Sequence, residues 1–125
     1  MSRQSILIVD DKPDMLGFLT RLLQSELDVD ILCADNGDSA LEYLQHGPDV
    51  VVTDIRMPGM NGLELLRRIK AVDRDAIVIM MTAYGSIEKA VESLQQGAYD
   101  FITKPFDEER LLHTLKKALE HGALR

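Results

Sequence analysis

A parallel β-sheet with helices on both faces, the α/β class, is predicted by three features of the sequence. Five short apolar runs recur along its 125 residues. The stretches between them carry apolar residues at helical spacing. The first, third and fourth runs are apolar at nearly every position, as strands covered on both faces must be. Parallel neighbours need crossovers, which are almost always right-handed, and the intervening helices supply them.

The first run is Ile6 to Val9, and Met15, Phe18, Leu19, Leu22 and Leu23 then form one face of a helix. Asp30 to Ala34 is the second run. It is followed by a weaker helical segment, Asp38 to His46, carried by Ala40, Leu41 and Leu44 and stopped by Gly47-Pro48. Val50 to Val52 leads to Leu65, Leu66, Ile69 and Val72. Ile77 to Met81 leads to Ile87, Ala90, Val91 and Leu94, with Gly97 as the helix stop. Tyr99 to Thr103 and a helix bearing Leu111, Leu112, Leu115 and Leu119 complete the chain. Each helix is expected to bury one apolar stripe. Asp30 and Asp100 mark the second and fifth strands as edges, which gives the order 2-1-3-4-5. That is the flavodoxin-like arrangement, with its topological switch point between strands 1 and 3 and its ligand site outside the strands' carboxyl ends.

Length fits one domain, residues 1–125, with a core of its own. With 46 % apolar and 28 % charged residues, the composition is that of a folded globular chain. Twenty-one acidic against 14 basic residues, net −7, would repel nucleic acid and anionic membrane, so no direct contact with either is expected. The lone Cys33 fits a reducing cytosol and is expected to be a buried thiol. No secretion signal or membrane-length apolar run is present, and a cytoplasmic location is expected. The closing "EHGALR" reads as the start of a connection to a further domain.

Strands pointing one way bring their carboxyl ends to one rim. There the sequence places Asp10 and Asp11, Asp54, Thr82, and Lys104-Pro105. Singly each has an ordinary explanation: Asp11 before "KPD" reads as a helix cap, Asp54 as a turn residue, Thr82 as a loop-bonding strand residue, Lys104 as a solvated charge. Together, three carboxylates repel one another and Lys104 cancels only one charge. The remaining deficit suits a divalent cation, and an oxygen-only donor set favours Mg2+ or Mn2+. A carboxyl pair sharing a proton without metal is the alternative. Magnesium held by few protein ligands takes phosphate oxygens, and an aspartate beside it can serve as nucleophile, giving an acyl phosphate.

With "VDD", "TDIRMPGMNG", "MTAYG" and "ITKPFD" in this order, the chain resembles the receiver domain of two-component response regulators over essentially its full length. Its wording is most similar to receivers of nitrogen-regulatory, enhancer-binding transcription activators. The resemblance implies that Asp54 accepts a phosphoryl group from the phosphohistidine of a sensor histidine kinase, without the domain being an enzyme in the turnover sense. It implies Mg2+ held by Asp11, Asp54 and the backbone carbonyl of Arg56, with Asp10 acting through a water. Thr82 is then the switch hydroxyl, Lys104 the cation that pairs with the phosphoryl oxygens, and Lys104-Pro105 a cis peptide. Phe101 takes the place of an aromatic that turns inward as Thr82 moves, and Tyr84 and the Arg56 side chain flank the site. The face made by the fourth helix, fifth strand and fifth helix would then bind an output domain of the same chain or a second receiver.

Two other chemistries fit less well. A magnesium phosphatase built on an aspartyl nucleophile wants an acid-base carboxylate two residues further on, where Arg56 stands. A flavin or nucleotide binder wants a Gly-rich phosphate loop after the first strand, where "VDDKPDM" puts carboxylates.

Overall fold

The computed structural model describes residues 3–82 and 87–123. Its elements run β1 (Ser5–Val9), α1 (Pro13–Glu26), β2 (Asp30–Ala34), α2 (Gly37–Tyr43), β3 (Val50–Asp54), α3 (Gly62–Val72), β4 (Val78–Thr82), α4 (Ile87–Gln95), β5 (Asp100–Thr103) and α5 (Glu108–Ala123). The five strands form one parallel sheet in the order β2-β1-β3-β4-β5. The edges are β2 and β5, which carry Asp30 and Asp100, as the sequence predicts, and every residue of β3 and β4 is buried.

Alternating side chains send Ile6, Ile8, Val50, Val52, Ile79 and Met81 to one face, where Leu19 and Leu23 of α1 and Leu111 and Leu115 of α5 cover them. Leu7, Val9, Val51, Val78 and Met80 go to the other face, under Leu65, Leu66 and Ile69 of α3 and Ala40 of α2. Burying each such leucine or isoleucine stabilises the fold by about 1.5–3 kcal/mol. Because both layers grip the same central strands, the carboxyl tips of β1, β3 and β4 are held rigidly side by side.

The helix starts are local chemistry. Pro13 opens α1 at its first position, where a missing N–H costs nothing. The Asn36 side chain accepts the N–H of Ser39 at 2.8 Å to cap α2, and Asn61 accepts that of Glu64 at 2.9 Å to cap α3. The segment read as one helix from Asp38 to His46 is α2 followed by a 3-10 turn, Leu44–His46, closed by Gly47 at φ 65°.

Two expectations about burial are corrected. In α4 the sheet-facing residues are Ala90 and Ser93, while Ile87, Val91 and Leu94 are 64 %, 45 % and 41 % exposed; Val72 at the end of α3 is likewise exposed. Helical spacing identifies a stripe but not the direction it faces, and small residues at i and i+3 let α4 sit close to β4 and β5. Cys33 is exposed as well, its Sγ 3.3 Å from Thr20 Oγ1. On the outermost strand β2, only the Ala34 end is fully covered.

Among the described residues no helix is long and apolar enough to cross a membrane.

Candidate functional site

The rim at the strands' carboxyl ends gathers residues that are remote in sequence. Asp10 directly follows β1, Asp54 ends β3, Thr82 ends β4 and Lys104 directly follows β5. Asp10, Asp11 and Asp54 each offer a carboxylate oxygen within 4.8 Å of the others. Asp10 and Thr82 are wholly buried and Asp54 is 5 % exposed.

The three acids are held differently. Asp10 Oδ1 accepts the backbone N–H of Lys12 at 2.9 Å, and its Oδ2 accepts the Lys104 ammonium at 3.2 Å. Asp54 Oδ1 accepts the N–H of Arg56 at 3.3 Å, and its Oδ2 takes the same ammonium at 3.2 Å. Lys104 thus bridges two buried carboxylates. Asp11 Oδ1 is buried with no hydrogen-bond partner among the described residues. A buried charged oxygen without a donor is costly, so this atom is the one observation that calls for a further positive group. Three carboxylates against one ammonium leave two negative charges, the donors are all oxygen, and the residues therefore fit a hard divalent cation such as Mg2+ or Mn2+.

Local packing fixes the acids' placement. The Gly62 N–H donates to Ile55 O at 2.8 Å, folding the β3–α3 loop back on the strand tip. A Cβ on Gly62 would stand 2.3 Å from Asp54 O, so only glycine permits that approach. Ile55 N–H donates to Met81 O at 3.1 Å and Lys104 N–H to Thr82 O at 2.7 Å, continuing the sheet's pairing past the strand ends and drawing Lys104 toward Asp54. The Lys104-Pro105 peptide is cis.

The structure brings Asp10, Asp11, Asp54 and Lys104 together, with Thr82 on the strand next to Asp54. The Arg56 side chain is exposed and its N–H is engaged by Asp54. Phe101 is half-buried, in register with Met80 and packed in the apolar layer shared with α3. Tyr84 lies outside the described residues. Sequence reasoning missed that Lys104 shares its charge between Asp54 and Asp10, because nothing in the order of residues reveals which acid a long side chain will reach. It also weighed Asp11 as a helix cap, whereas Lys12 occupies that position and makes no side-chain cap bond.

Comparison with known proteins gives a consistent picture. A family model described as the response regulator receiver domain matches residues 6–116. The C4-dicarboxylate transport transcriptional regulatory protein DctD of Pseudomonas aeruginosa is 38 % identical over 123 residues, covering 95 % of this chain and 26 % of that protein. Chemotaxis protein CheY of Bacillus subtilis is 40 % identical over 115 residues, covering 91 % of this chain and 96 % of that one. The solved structure of NtrX from Brucella abortus superposes with a TM-score of 0.90 at 37 % identity, over 99 % of this chain and 28 % of that one. The chain therefore spans about a quarter of the length of DctD and NtrX and nearly all of CheY.

Proposed function

The chain belongs to the response regulator receiver family, and from that premise we propose that it is a signalling switch in which Asp54 accepts a phosphoryl group from the phosphohistidine of a sensor histidine kinase. The observation that carries this reading is the charge arrangement at the rim: Asp54 is held at one oxygen by Lys104, while Asp11 beside it has a buried oxygen without a donor among the described residues.

Asp10, Asp11, Asp54 and the backbone carbonyl of Arg56 would hold Mg2+ or Mn2+, with Asp10 acting through a bound water. The chemistry such an ion supplies is charge neutralisation on the phosphoryl oxygens. In the transfer an Asp54 carboxylate oxygen forms a bond to phosphorus, the P–N bond to the imidazole breaks, and its electron pair leaves on the ring nitrogen. The Lys104 ammonium moves from pairing carboxylates to pairing phosphoryl oxygens, and the Thr82 hydroxyl donates to another. The domain is a phosphoacceptor that assists its own phosphorylation and dephosphorylation rather than an enzyme acting on a free substrate.

A phosphoryl group brings nearly two negative charges to the rim. Drawing Thr82 toward it frees space beside β4 into which Phe101, already half-buried one strand away, turns inward. The readout is the face formed by α4, β5 and α5, and its support is the exposed apolar stripe of Ile87, Val91 and Leu94. That face binds a second copy or an output domain, and the length of DctD and NtrX supports this chain being the N-terminal receiver of a longer transcription activator. A second reading, a stand-alone receiver acting by protein contact, is supported by the near-complete coverage of CheY. A phosphatase is disfavoured by Arg56, which puts a cation where the acid-base carboxylate is needed. Sustained hydrolysis of a phosphate ester would revive it.

The test is incubation with Mg2+ and a small acyl phosphate, followed by intact mass measurement of the protein and Asp54→Asn. One phosphate adduct is expected, absent from the variant and from chelated samples. Equal labelling of both proteins refutes the assignment.

A further inference from the structure

A cavity of about 460 Å3 opens directly beside Asp11. Met57, Pro58 and Leu63 give it an apolar wall, and three cations from separate parts of the chain line it: Lys12 at the start of α1, Arg56 in the loop after β3, and Lys89 on α4. Asp11 is the one acid among its lining residues, in a chain whose net charge is −7. None of the three cations is firmly engaged. Lys89 Nζ stands 4.0 Å from Glu92 Oε1, the outer limit of an ion pair, with the two side chains 58 % and 40 % exposed. Lys12 and Arg56 form no ion pair among the described residues.

The volume suits a small organic group. The cavity borders the acid cluster through Asp11 and lies outside it, so it can receive the part of a small phosphoryl donor that leaves once phosphorus faces Asp54. Resting on the reading of Asp54 as phosphoacceptor, we propose that Lys12, Arg56 and Lys89 form a leaving-group subsite, and that among small-molecule donors it makes this chain favour acyl phosphates over phosphoramidate.

The argument is charge development. When Asp54 attacks an acyl phosphate, the new O–P bond forms as the P–O bond to the acyl oxygen breaks, and the electron pair leaves on a carboxylate. Negative charge therefore grows in the cavity during the step, and cations lining it stabilise the transition state more than the neutral acyl group of the bound donor. When the donor is phosphoramidate, the P–N bond breaks and the pair leaves on a nitrogen that already carries a proton, releasing neutral ammonia. No anion forms, and the cations give that step nothing.

The test measures the rate at which Asp54 gains phosphate, by intact mass with Mg2+ present, from acetyl phosphate and from phosphoramidate in parallel. The proteins are the unaltered chain, Lys89→Gln, Lys12→Gln with Lys89→Gln, and Lys89→Glu. The acetyl phosphate rate is expected to fall about fivefold in the double variant, the size of effect two solvent-screened charges carry, while the phosphoramidate rate stays unchanged. Lys89→Glu should lower the first rate further without raising the second, and added salt should narrow the gap between unaltered and variant proteins. An unchanged ratio of the two rates, or an equal fall in both, overturns the subsite while leaving Asp54 as acceptor. No labelling of the unaltered chain by either donor overturns the acceptor reading and the subsite with it. The phosphoramidate rate also reports whether each variant is folded.

Discussion

Asp11 and Lys104 pull stability in opposite directions when no cation is bound. Asp11 adds a third negative charge to a cluster with one ammonium, and one of its oxygens is buried without a donor among the described residues. Asp11→Asn is therefore expected to stabilise the cation-free chain by about 1–2 kcal/mol, seen as a higher urea midpoint. Lys104→Met removes the only cation bonded to the buried Asp10 and Asp54 among the described residues, and is expected to destabilise by about 3 kcal/mol. Midpoints shifting in the same direction would contradict this account of the site. Gly62→Ala forces a methyl group against the Asp54 carbonyl and the Ile55 Cα. It is expected to cost about 1–3 kcal/mol and to slow phosphate uptake, because the atom it displaces belongs to Asp54, the proposed acceptor.

Among the elements, α4 is attached unlike the rest. It buries Ala90 and Ser93, the latter with its hydroxyl donating to Ala90 O at 2.7 Å, and turns its large apolar residues outward. Replacing Val91 and Leu94 together by serine should change the unfolding free energy, measured by urea titration, by no more than about 0.5 kcal/mol per site. On α1, Leu23→Ala should cost about 2–5 kcal/mol, because Leu23 is 1 % exposed in the layer under β1 and β3. If the serine pair proves as costly as Leu23→Ala, α4 packs differently from its description above. The strands were legible because their apolar runs are short, nearly continuous and β-branched, and the edge assignment because Asp30 and Asp100 interrupt two of them. The direction of α4 was not legible. Its sheet side is made of small residues that carry little hydrophobic signal, so the outward stripe dominates the pattern. The same weakness hid the exposure of Cys33, since β2 reads as apolar although its outer side has no neighbouring strand.

For the molecule as a whole, cation binding and stability are one equilibrium, because the cluster exists only in the folded chain. At 100 times its dissociation constant Mg2+ should raise the unfolding free energy by about 2.7 kcal/mol, measured as a shift of the urea midpoint. In Asp11→Asn the shift should largely vanish; an equal gain there would mean that the ion binds elsewhere. At this scale the acid cluster was readable from sequence through topology alone: once the strand order is known, Asp10, Asp11 and Asp54 must share a rim. What topology could not supply is the reach of side chains across that rim, which is why the double attachment of Lys104 emerged only from the structure.

The bond from Lys104 to Asp10 joins residues 94 positions apart. A ribosome releases the acids of the first and third strands long before it releases their ammonium, so during synthesis those acids wait with no built-in counter-charge to draw them together. Competence to receive a signal thus arrives among the last features of the nascent domain. A polypeptide cut short before β5 would lack the very group that ties the tips of β1 and β3 together at the rim.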